Sequence, residues 1–308
     1  MAAFVIMSDF SMGPTVRVTP LQGIPIISGD VVIDTLMFNP TLIDQRDVLT
    51  NFYTKNLKKV DVPVDGSVDN IATLNVHIFE PINLNFNRME CMTAVLQLMK
   101  KFSISIMALQ EVPLNKLDIF QNLVESYGLY HTIDDFDYGF ADTREPITNV
   151  VLSTYPITER KKLLLSSENC IYKHRHAIFF KVPAHPRYGD KLFCTTHLEV
   201  DKWDPYVSEM VTRKLQIKDI FNYNQGPDII MGDLNLVPDS PEYALLATKY
   251  KLSSHVDFTA PAYAGIPNIV DYIWFRKKDE TATWHIDTYA VNYIWSDHRP
   301  VIGIYRPK

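Results

Sequence analysis

Polar side chains that can bind a metal or transfer a proton follow or end several apolar segments of this 308-residue chain. In order along the chain, these polar groups are Asn75, Gln110-Glu111, His197, Asp233-Leu234-Asn235, Asp271 and Ser296-Asp297-His298. The apolar segments have the composition of buried strands, in which an unpaired carboxylate or imidazole would be costly. Strand ends that supply carboxylates, carboxamides and imidazoles therefore predict a site for metal-assisted phosphoester cleavage.

Glu111 and Asp297 are the carboxylates that we expect to hold the metal. A hard divalent cation shields the anionic phosphate and stabilises the charge that develops as the ester is hydrolysed. Carboxylate oxygens favour Mg²⁺ over zinc, with Mn²⁺ as a substitute. Taken alone, Gln110-Glu111 after a strand is also typical of a helix N-cap or a surface charge.

Asp233 and Asn235 are two residues apart in a Met-Gly-Asp-Leu-Asn segment. In an extended backbone their side chains point the same way, while Leu234 points into the core. Asp233 can then hold and deprotonate the attacking water, and the Asn235 amide can position water or phosphate. Gly232 permits a sharp turn or a close approach to substrate. Alone, this motif is better explained by an Asx-type turn between a strand and a loop.

Asp271 and His298 form a natural carboxylate–imidazole pair. A carboxylate on one ring nitrogen fixes the tautomer and raises the imidazole pKa, which favours a cation that faces phosphate. His197, in a Thr-Thr-His-Leu-Glu segment, can stabilise the transition state from the other side. A satisfied histidine at a strand end is the equally supported alternative for His197.

Two further segments could contact nucleic acid. Lys173–His176 is a short basic cluster before a strand, for which a solvated turn is the favoured alternative. Trp203 and Tyr206, in a polar loop after His197, could stack on bases, although exposed aromatic residues also occur by chance.

The composition is that of a soluble globular protein, with 46% apolar and 21% charged residues. The net charge of −6 is spread along the chain, which argues against avid, non-specific duplex binding but permits a small basic groove. Three cysteines without metal-ligand spacing indicate buried thiols in a reducing compartment. The absence of a membrane-length apolar stretch and of a secretory signal then predicts an intracellular protein, in the cytoplasm or nucleus.

We predict an N-terminal extension of unknown role over residues 1–69, with a helix starting near Asn39, and a catalytic domain over residues 70–308. In that domain, Asn87 with Glu90 predicts a capping box, and Ser240-Pro241 predicts a second helix start. Many consecutive strands with few crossover helices argue against a doubly wound parallel sheet. They predict two packed sheets with helices on their outer faces.

Seven motifs together resemble the endonuclease/exonuclease/phosphatase superfamily, which has the DNase-I-like fold. They are LNV at Asn75, LQEV at Glu111, NVVLSTYPI from Asn149, TTHLE at His197, MGDLN at Asp233, VDYIW at Asp271 and SDHRPV at Asp297. The resemblance runs from about Ile71 to Tyr305 and implies an α/β fold, a four-layer α/β/β/α sandwich of two mixed sheets.

The resemblance also implies roles for individual residues. Glu111 is the principal magnesium ligand, assisted by Asn75 and Asp297. Asp233 activates the nucleophilic water with Asn235 beside it, and His298 contacts the scissile phosphate and is oriented by Asp271. The substrate-binding residues are Asn75, Asn149 and Trp203, whereas an Arg-x-x-Gln pair formed by Arg213 and Gln216 is mainly structural.

The LQEV and TTHLE segments, with the Arg-x-x-Gln helix that follows, are most similar to the 5′-tyrosyl-DNA phosphodiesterase branch. Arg299-Pro300 and Val237-Pro238 depart from that branch, and Asn-Ile-Val-Asp-Tyr-Ile-Trp resembles the deadenylase and sphingomyelinase-like branches. We therefore expect a Mg²⁺-dependent phosphodiesterase whose substrate partner is nucleic acid or a nucleic-acid adduct. The alternatives are a phospholipid or inositol-phosphate phosphoesterase and a catalytically silent binding protein of the same fold.

Overall fold

The fold was analysed in a computed structural model. It describes residues 24–28, 31–36, 70–79, 87–133, 146–167, 175–200, 209–254, 256, 259–260, 268–277, 284–290 and 296–307.

Fifteen strands and four α-helices are present in this part of the chain. The strands are β1 (Ile24–Ser28), β2 (Val31–Leu36), β3 (Asn70–Asn75), β4 (Ile104–Pro113), β5 (Tyr130–His131), β6 (Ile147–Ser153), β7 (Thr158–Leu164), β8 (His176–Lys181), β9 (Phe193–His197), β10 (Ile229–Asp233), β11 (Tyr250–Lys251), β12 (Ser253–Ser254), β13 (Asp271–Arg276), β14 (Trp284–Ala290) and β15 (Val301–Pro307). The helices are α1 (Arg88–Lys101), α2 (Leu117–Ser126), α3 (Glu209–Asn222) and α4 (Pro241–Lys249).

Two large mixed sheets form the centre of the molecule. The seven-stranded sheet has the order β12-β14-β15-β3-β4-β6-β5, and the six-stranded sheet has the order β11-β13-β10-β9-β8-β7. Both contain one parallel pair among central strands, β3 with β4 and β9 with β10, whereas most other neighbours are antiparallel. This mixed pairing confirms the prediction that the chain does not form a doubly wound parallel sheet.

Three apolar clusters define the layers. One lies between the two sheets and includes Ile106, Phe180 and Met231. A second packs α1 and α2 on the seven-stranded sheet, and a third packs α3 and α4 on the six-stranded sheet. Each sheet therefore buries both faces, which explains why its central strands are continuous apolar runs. The predicted four-layer α/β/β/α sandwich is confirmed.

Local capping chemistry fixes the starts of two helices. The Asn87 side chain accepts a hydrogen bond from the Glu90 N–H, and the Glu90 carboxylate accepts one from the Asn87 N–H, so the predicted capping box is present. Ser240 accepts a hydrogen bond from the Tyr243 N–H in front of Pro241, as predicted.

Strand register brings the polar residues of the six-stranded sheet to one edge. Asp233, the last residue of β10, pairs with His197, the last residue of the parallel strand β9. On its other side it pairs with Asp271, the first residue of the antiparallel strand β13. The end of a strand meets the end of a parallel neighbour and the start of an antiparallel one, so these three side chains share an edge.

Strand β7 is an element that the sequence pattern does not predict. It forms an edge of the six-stranded sheet and is largely exposed, so its sequence TERKKLL lacks the apolar run of a buried strand. The predicted helix near Asn39 lies outside the described residues, as does Cys170. Strands β1 and β2 pair with each other, and the domain boundary at residue 69 stays a prediction.

Cys91 and Cys194 are buried free thiols, as predicted for two of the three cysteines. None of the helices in the described part of the chain combines the length and the apolar run needed to cross a bilayer.

Candidate active site

A buried row of three side chains crosses the edge of the six-stranded sheet. His298 Nδ1 lies 2.8 Å from Asp271 Oδ2, and His298 Nε2 lies 3.8 Å from Asp233 Oδ2. The backbone N–H of Asp271 donates to Thr259 Oγ1, which fixes the start of β13. The predicted Asp271–His298 pair is present, and its imidazole points toward the predicted catalytic carboxylate.

The pKa values of His298 and Asp233 in this row differ from their ordinary values. Burial opposes a charge on His298, but the carboxylate of Asp271 overcomes this penalty and raises the pKa of His298 to about 10. Burial, together with the nearby Asp271 carboxylate, raises the pKa of Asp233 to about 7. His298 is therefore a cation at neutral pH, and Asp233 can accept a proton there.

Asp233 is held by hydrogen bonds from both sheets. Asn75 Nδ2, at the end of β3, donates to Asp233 Oδ2 at 3.0 Å. The backbone N–H of Asn235 donates to Asp233 Oδ1 at 3.0 Å, which is an Asx-type turn. Asn235 has a φ of 50°, and its side-chain Nδ2 donates to the carbonyl of Leu198. The prediction of an extended backbone through Asn235 was therefore wrong.

Leu234 is buried, as predicted. Gly232, in contrast, lies inside a strand and is not part of a turn. It lies within β10 at a φ of 148°, where an added Cβ would overlap the carbonyl oxygen of Thr196 on β9. Glycine is needed here because the two parallel strands approach closely.

Glu111 lies inside β4 and does not end it. The pairing of β4 with β6 shifts register between Leu109 and Val112, and Glu111 adopts a φ of 57° in this bulge. A left-handed conformation costs a non-glycine residue about 1–3 kcal/mol and persists where surrounding structure enforces it. The bulge re-aims the Glu111 side chain toward His197, whose Nε2 lies 4.0 Å from Glu111 Oε1.

His197 lies between Glu111 and Asp233, with its Nε2 3.4 Å from Asp233 Oδ2. Burial lowers the pKa of His197 well below its ordinary value, and the cations Arg175 and His298 lower it further. His197 is therefore a neutral imidazole at the site, and it differs in charge from His298.

Asp297 is another carboxylate that the sequence predicts at the site. Ser296 Oγ donates to the carbonyl of Asn75 at 2.6 Å, which fixes the Ser-Asp-His segment beside β3. His77 Nδ1 lies 3.9 Å from Asp297 Oδ1. Burial opposes the Asp297 charge, but nearby positive charges, with His77 first, bring the pKa of Asp297 well below its usual range.

His77 is a site residue that the sequence reasoning missed. Its backbone N–H donates to Asn75 Oδ1, and it begins a turn in which His77, Ile78 and Phe79 all have positive φ angles. A left-handed turn directly after a strand leaves no periodic pattern in the sequence. The available signal was the position of a histidine two residues after Asn75.

The donor set fits a hard divalent cation. Glu111 is 7% exposed, and its carboxylate accepts no hydrogen bond from the described residues. A buried carboxylate of this kind, close to Asp233, calls for a compensating cation. The ligand atoms of Asp233, Asp271 and His298 also lie within 4.8 Å of one another. Asp271 and His298 already bond to each other at 2.8 Å, so this pair is less available to a metal than the Glu111 carboxylate.

Asn149 lies with Glu111 and His197 in the wall of a cleft, together with Arg175 and His176. Arg175 and His176 are buried, so the expectation of a solvated turn is wrong for these two residues. Asn149 Nδ2 donates to the carbonyl of His176. Trp203 and Tyr206 lie outside the described residues, as do Lys173 and His174.

Comparison with known proteins identifies the family of this chain. The model of the Endonuclease/Exonuclease/phosphatase family matches residues 72–298, which is more than half of the chain. A search of curated proteins finds no match.

Similar solved structures extend the agreement to the fold. The human Nocturnin catalytic domain with bound sulfate is 17% identical, with a TM-score of 0.54 over 78% of this chain and 94% of that one. D. rerio TDP2 humanized by 14 mutations is 15% identical, with a TM-score of 0.55 over 78% and 99%. A Bacteroides thetaiotaomicron mannosyl-6-phosphatase is 15% identical, with a TM-score of 0.53 over 77% and 99%.

These structures share the two-sheet sandwich, and the family match includes every strand end that supplies the buried cluster. Enzymes with this fold commonly use divalent metals, and the family's members are usually phosphoesterases. The chain belongs to the endonuclease/exonuclease/phosphatase family.

Proposed function

We propose that the chain is a Mg²⁺-dependent phosphodiesterase that hydrolyses a phosphoester bond in nucleic acid or a nucleic-acid adduct, with Mn²⁺ as a substitute metal. The observation that supports this most directly is the convergence of a charged imidazole and several carboxylates. His298 lies between Asp271 and Asp233, Glu111 lies near His197, and Asp297 follows Ser296, which binds the carbonyl of Asn75 at the end of β3. The site thus combines a cation for the phosphate with carboxylates for a metal and for a proton.

Glu111 and Asp297 would hold the metal, with Asn75 assisting. A bound Mg²⁺ supplies Lewis-acid stabilisation of the charge on the phosphoryl oxygens. Asn75 Oδ1 already accepts the His77 N–H, but a carbonyl oxygen has a second lone pair for a metal. The hydrogen bonds of Asn75 to Asp233 and His77 fix the amide, so the oxygen has one orientation.

His298 would bind the scissile phosphate through Nε2. Asp271 holds the opposite ring nitrogen and keeps the imidazole charged at neutral pH. A positioned cation that meets developing negative charge in a buried site lowers the barrier more than it would in water.

Asp233 would orient the attacking water and accept its proton at the carboxylate. The raised pKa of Asp233 suits this role, because a general base works best when its pKa is near the working pH. Asn235 holds Asp233 Oδ1 through its backbone and is proposed to position substrate with its amide oxygen. His197, as a neutral imidazole, would donate a hydrogen bond to a phosphoryl oxygen.

Nucleic acid is the proposed substrate because the LQEV and TTHLE motifs are most similar to the tyrosyl-DNA phosphodiesterase branch. Asn149 is proposed to contact that substrate from the cleft wall, and Trp203 to stack on a base. A silent binding protein is disfavoured because the proposed base, phosphate-binding imidazole and metal ligands are all present. The free thiols Cys91 and Cys194 support an intracellular setting.

A substrate panel tests the proposal. It contains single-stranded and duplex DNA, RNA, a 5′-tyrosyl oligonucleotide, sphingomyelin, inositol phosphates and mannose 6-phosphate, each with Mg²⁺ and with EDTA. We expect Mg²⁺-dependent turnover of at least one nucleic-acid substrate, lost in EDTA. Turnover confined to sphingomyelin, inositol phosphates or the sugar phosphate would contradict the proposed substrate class.

A further inference from the structure

A cleft beside the proposed metal ligand has a buried arginine in its wall. Glu111 and His197 form the side of the cleft that belongs to the proposed catalytic site. The remaining wall is formed by Ile147, Thr148, Asn149, Arg175 and His176. The cleft therefore continues directly from the place where the scissile phosphate would lie.

Arg175 is only 5% exposed, and its Nε lies 3.8 Å from Oε2 of Glu199, which is fully buried. Taking two charges out of water is expensive, and a buried ion pair is weak evidence for a role in stability. Because Arg175 lies at the wall of a cleft, binding of a ligand gives a functional reason for this buried ion pair. A guanidinium has five N–H donors, so it can pair with a carboxylate and still present donors to a ligand anion.

The segment that carries Glu199 is anchored from behind by helix α3. The Glu199 N–H donates to Gln216 Oε1, and Arg213 donates to the Glu199 carbonyl at 3.2 Å. Arg213 is itself held by Glu242 on α4 at 3.0 Å. The Arg-x-x-Gln pair thus fixes the residue whose carboxylate positions Arg175.

Arg175 brings a positive charge to this wall, in the same cleft as His197 and Glu111. The other polar groups of this wall, Thr148, Asn149 and His176, add no carboxylate to it. An anionic group entering the cleft would therefore meet a cation on the side of Arg175.

We propose that Arg175 binds the phosphate next to the scissile one, a proposal that rests on the proposed function. The substrate is then a nucleotide strand with at least two phosphates. This adds a substrate-binding residue to the site and narrows the substrate class. A phosphocholine lipid would instead bring a quaternary ammonium group toward the Arg175 cation.

Two matched pairs of chromogenic substrates test the proposal. Thymidine 5′-(p-nitrophenyl phosphate) is compared with the same ester carrying a 3′-phosphate, and thymidine 3′-(p-nitrophenyl phosphate) with the same ester carrying a 5′-phosphate. Each pair differs only in the second phosphate. Because a hydrogen bond to a charged group contributes about 1.5–3 kcal/mol, we expect kcat/KM to be roughly 10–100-fold higher with the second phosphate in at least one pair.

The preference should depend on Arg175. In the double variant Arg175→Met, Glu199→Gln, which removes both charges and leaves no buried carboxylate unpaired, the ratio within the pair should fall to about 1. Arg175→Lys should keep part of the ratio, since it keeps the charge but loses the fork of donors. Lys218→Gln, on the exposed part of α3, removes one positive charge away from the cleft and should leave the ratio unchanged.

Equilibrium binding separates this proposal from the proposed function. Isothermal titration calorimetry should show that wild-type protein binds thymidine 3′,5′-bisphosphate more tightly than thymidine 5′-monophosphate, and that the double variant does not. Retained binding preference without hydrolysis of any ester would contradict the phosphodiesterase and support the subsite. Equal binding of the two nucleotides with equal kcat/KM in both ester pairs would overturn the subsite, as would an unchanged ratio in the double variant.

Discussion

The two halves of the proposed site are built in different ways. In the imidazole half, formed by Asp233, Asp271 and His298, each side chain has another of the three within 4 Å. In the carboxylate half, formed by Glu111 and Asp297, Glu111 accepts no hydrogen bond from a described residue. The first half is organised by the protein for charge and proton transfer, whereas the Glu111 carboxylate of the second half is suited to bind a metal cation.

Backbone conformation reinforces this difference. Asp233 and Asp271 lie at paired positions of neighbouring strands, so ordinary sheet register places them. Glu111 is placed by a bulge with a left-handed φ, and Asp297 lies next to the left-handed turn at His77. Left-handed residues therefore lie at or beside both proposed metal ligands, whereas in the imidazole half the left-handed residue Asn235 follows the strand that carries Asp233.

The largest effect should come from removing charge in the imidazole half. Asp233→Ala and His298→Ala should each lower turnover of bis-p-nitrophenyl phosphate with Mg²⁺ by roughly 10²–10⁴-fold, because a positioned base or an electrostatic group is lost. The control is Asp228→Asn, just before the other end of β10, where the carboxylate binds a backbone N–H. Wild-type turnover in either site variant would contradict its assigned role.

A second prediction concerns the charge of His298. In wild-type apoprotein, NMR titration should find the pKa of His298 raised to about 10, and in Asp271→Asn this pKa should fall, since Asp271 is the strongest influence that opposes the effect of burial. The folded-state pKa lies above the unfolded value. The stabilisation from the charged pair is therefore complete below about pH 6.5 and is lost as the pH rises through about 10.

Urea unfolding at several pH values checks this sign. The difference in unfolding free energy between wild type and Asp271→Asn should shrink from neutral to alkaline pH. A His298 pKa that is the same in both proteins would show that Asp271 does not set the charge.

Metal affinity distinguishes the halves most sharply. Glu111→Gln should weaken Mn²⁺ binding by more than roughly 100-fold, whereas Asp271→Asn, which removes no proposed ligand, should stay within the roughly 10–100-fold that is typical for a residue behind the ligands. Electron paramagnetic resonance of free Mn²⁺ gives both affinities without reference to activity. An equal or larger loss of Mn²⁺ affinity in Asp271→Asn would indicate that the metal binds in the imidazole half.

The smallest effect should come from Gln110, a buried side chain that forms hydrogen bonds to both sheets. Gln110, buried beside Glu111, accepts a hydrogen bond from Thr73 on β3 and donates one to Thr195 on β9. Gln110→Met should lower the unfolding free energy by about 1–3 kcal/mol, because two buried hydroxyls lose their partner. Adding Thr73→Val and Thr195→Val should recover part of that loss in urea unfolding, since no polar group is then left unpaired.

Residues whose placement follows from strand periodicity were predictable from the sequence. Asn75, His197 and Asp233 end apolar runs that form central strands, and the four-layer fold follows from the resemblance together with the mixed order of elements. The caps at Asn87 and Ser240 were also predictable, because the hydrogen bonds of a helix cap join residues that are close in sequence.

Residues placed by long-range pairing were not predictable. The bulge at Glu111 arises from the register between β4 and β6, which a single segment does not reveal. Arg175 belongs to a basic cluster that is typical of a solvated turn, and it is paired in the interior with Glu199, which follows β9 in the chain. The edge strand β7 has no buried face to leave an apolar pattern.

Anomalous diffraction from crystals grown with Mn²⁺ and phosphate tests the central claim most directly. We predict one Mn²⁺ peak roughly 2.0–2.3 Å from carboxylate oxygens of both Glu111 and Asp297, with the phosphate within hydrogen-bond distance of His298 Nε2. A peak enclosed by Asp233, Asp271 and His298, or a phosphate away from His298, would contradict the division of the site into a metal-binding half and a phosphate-binding half.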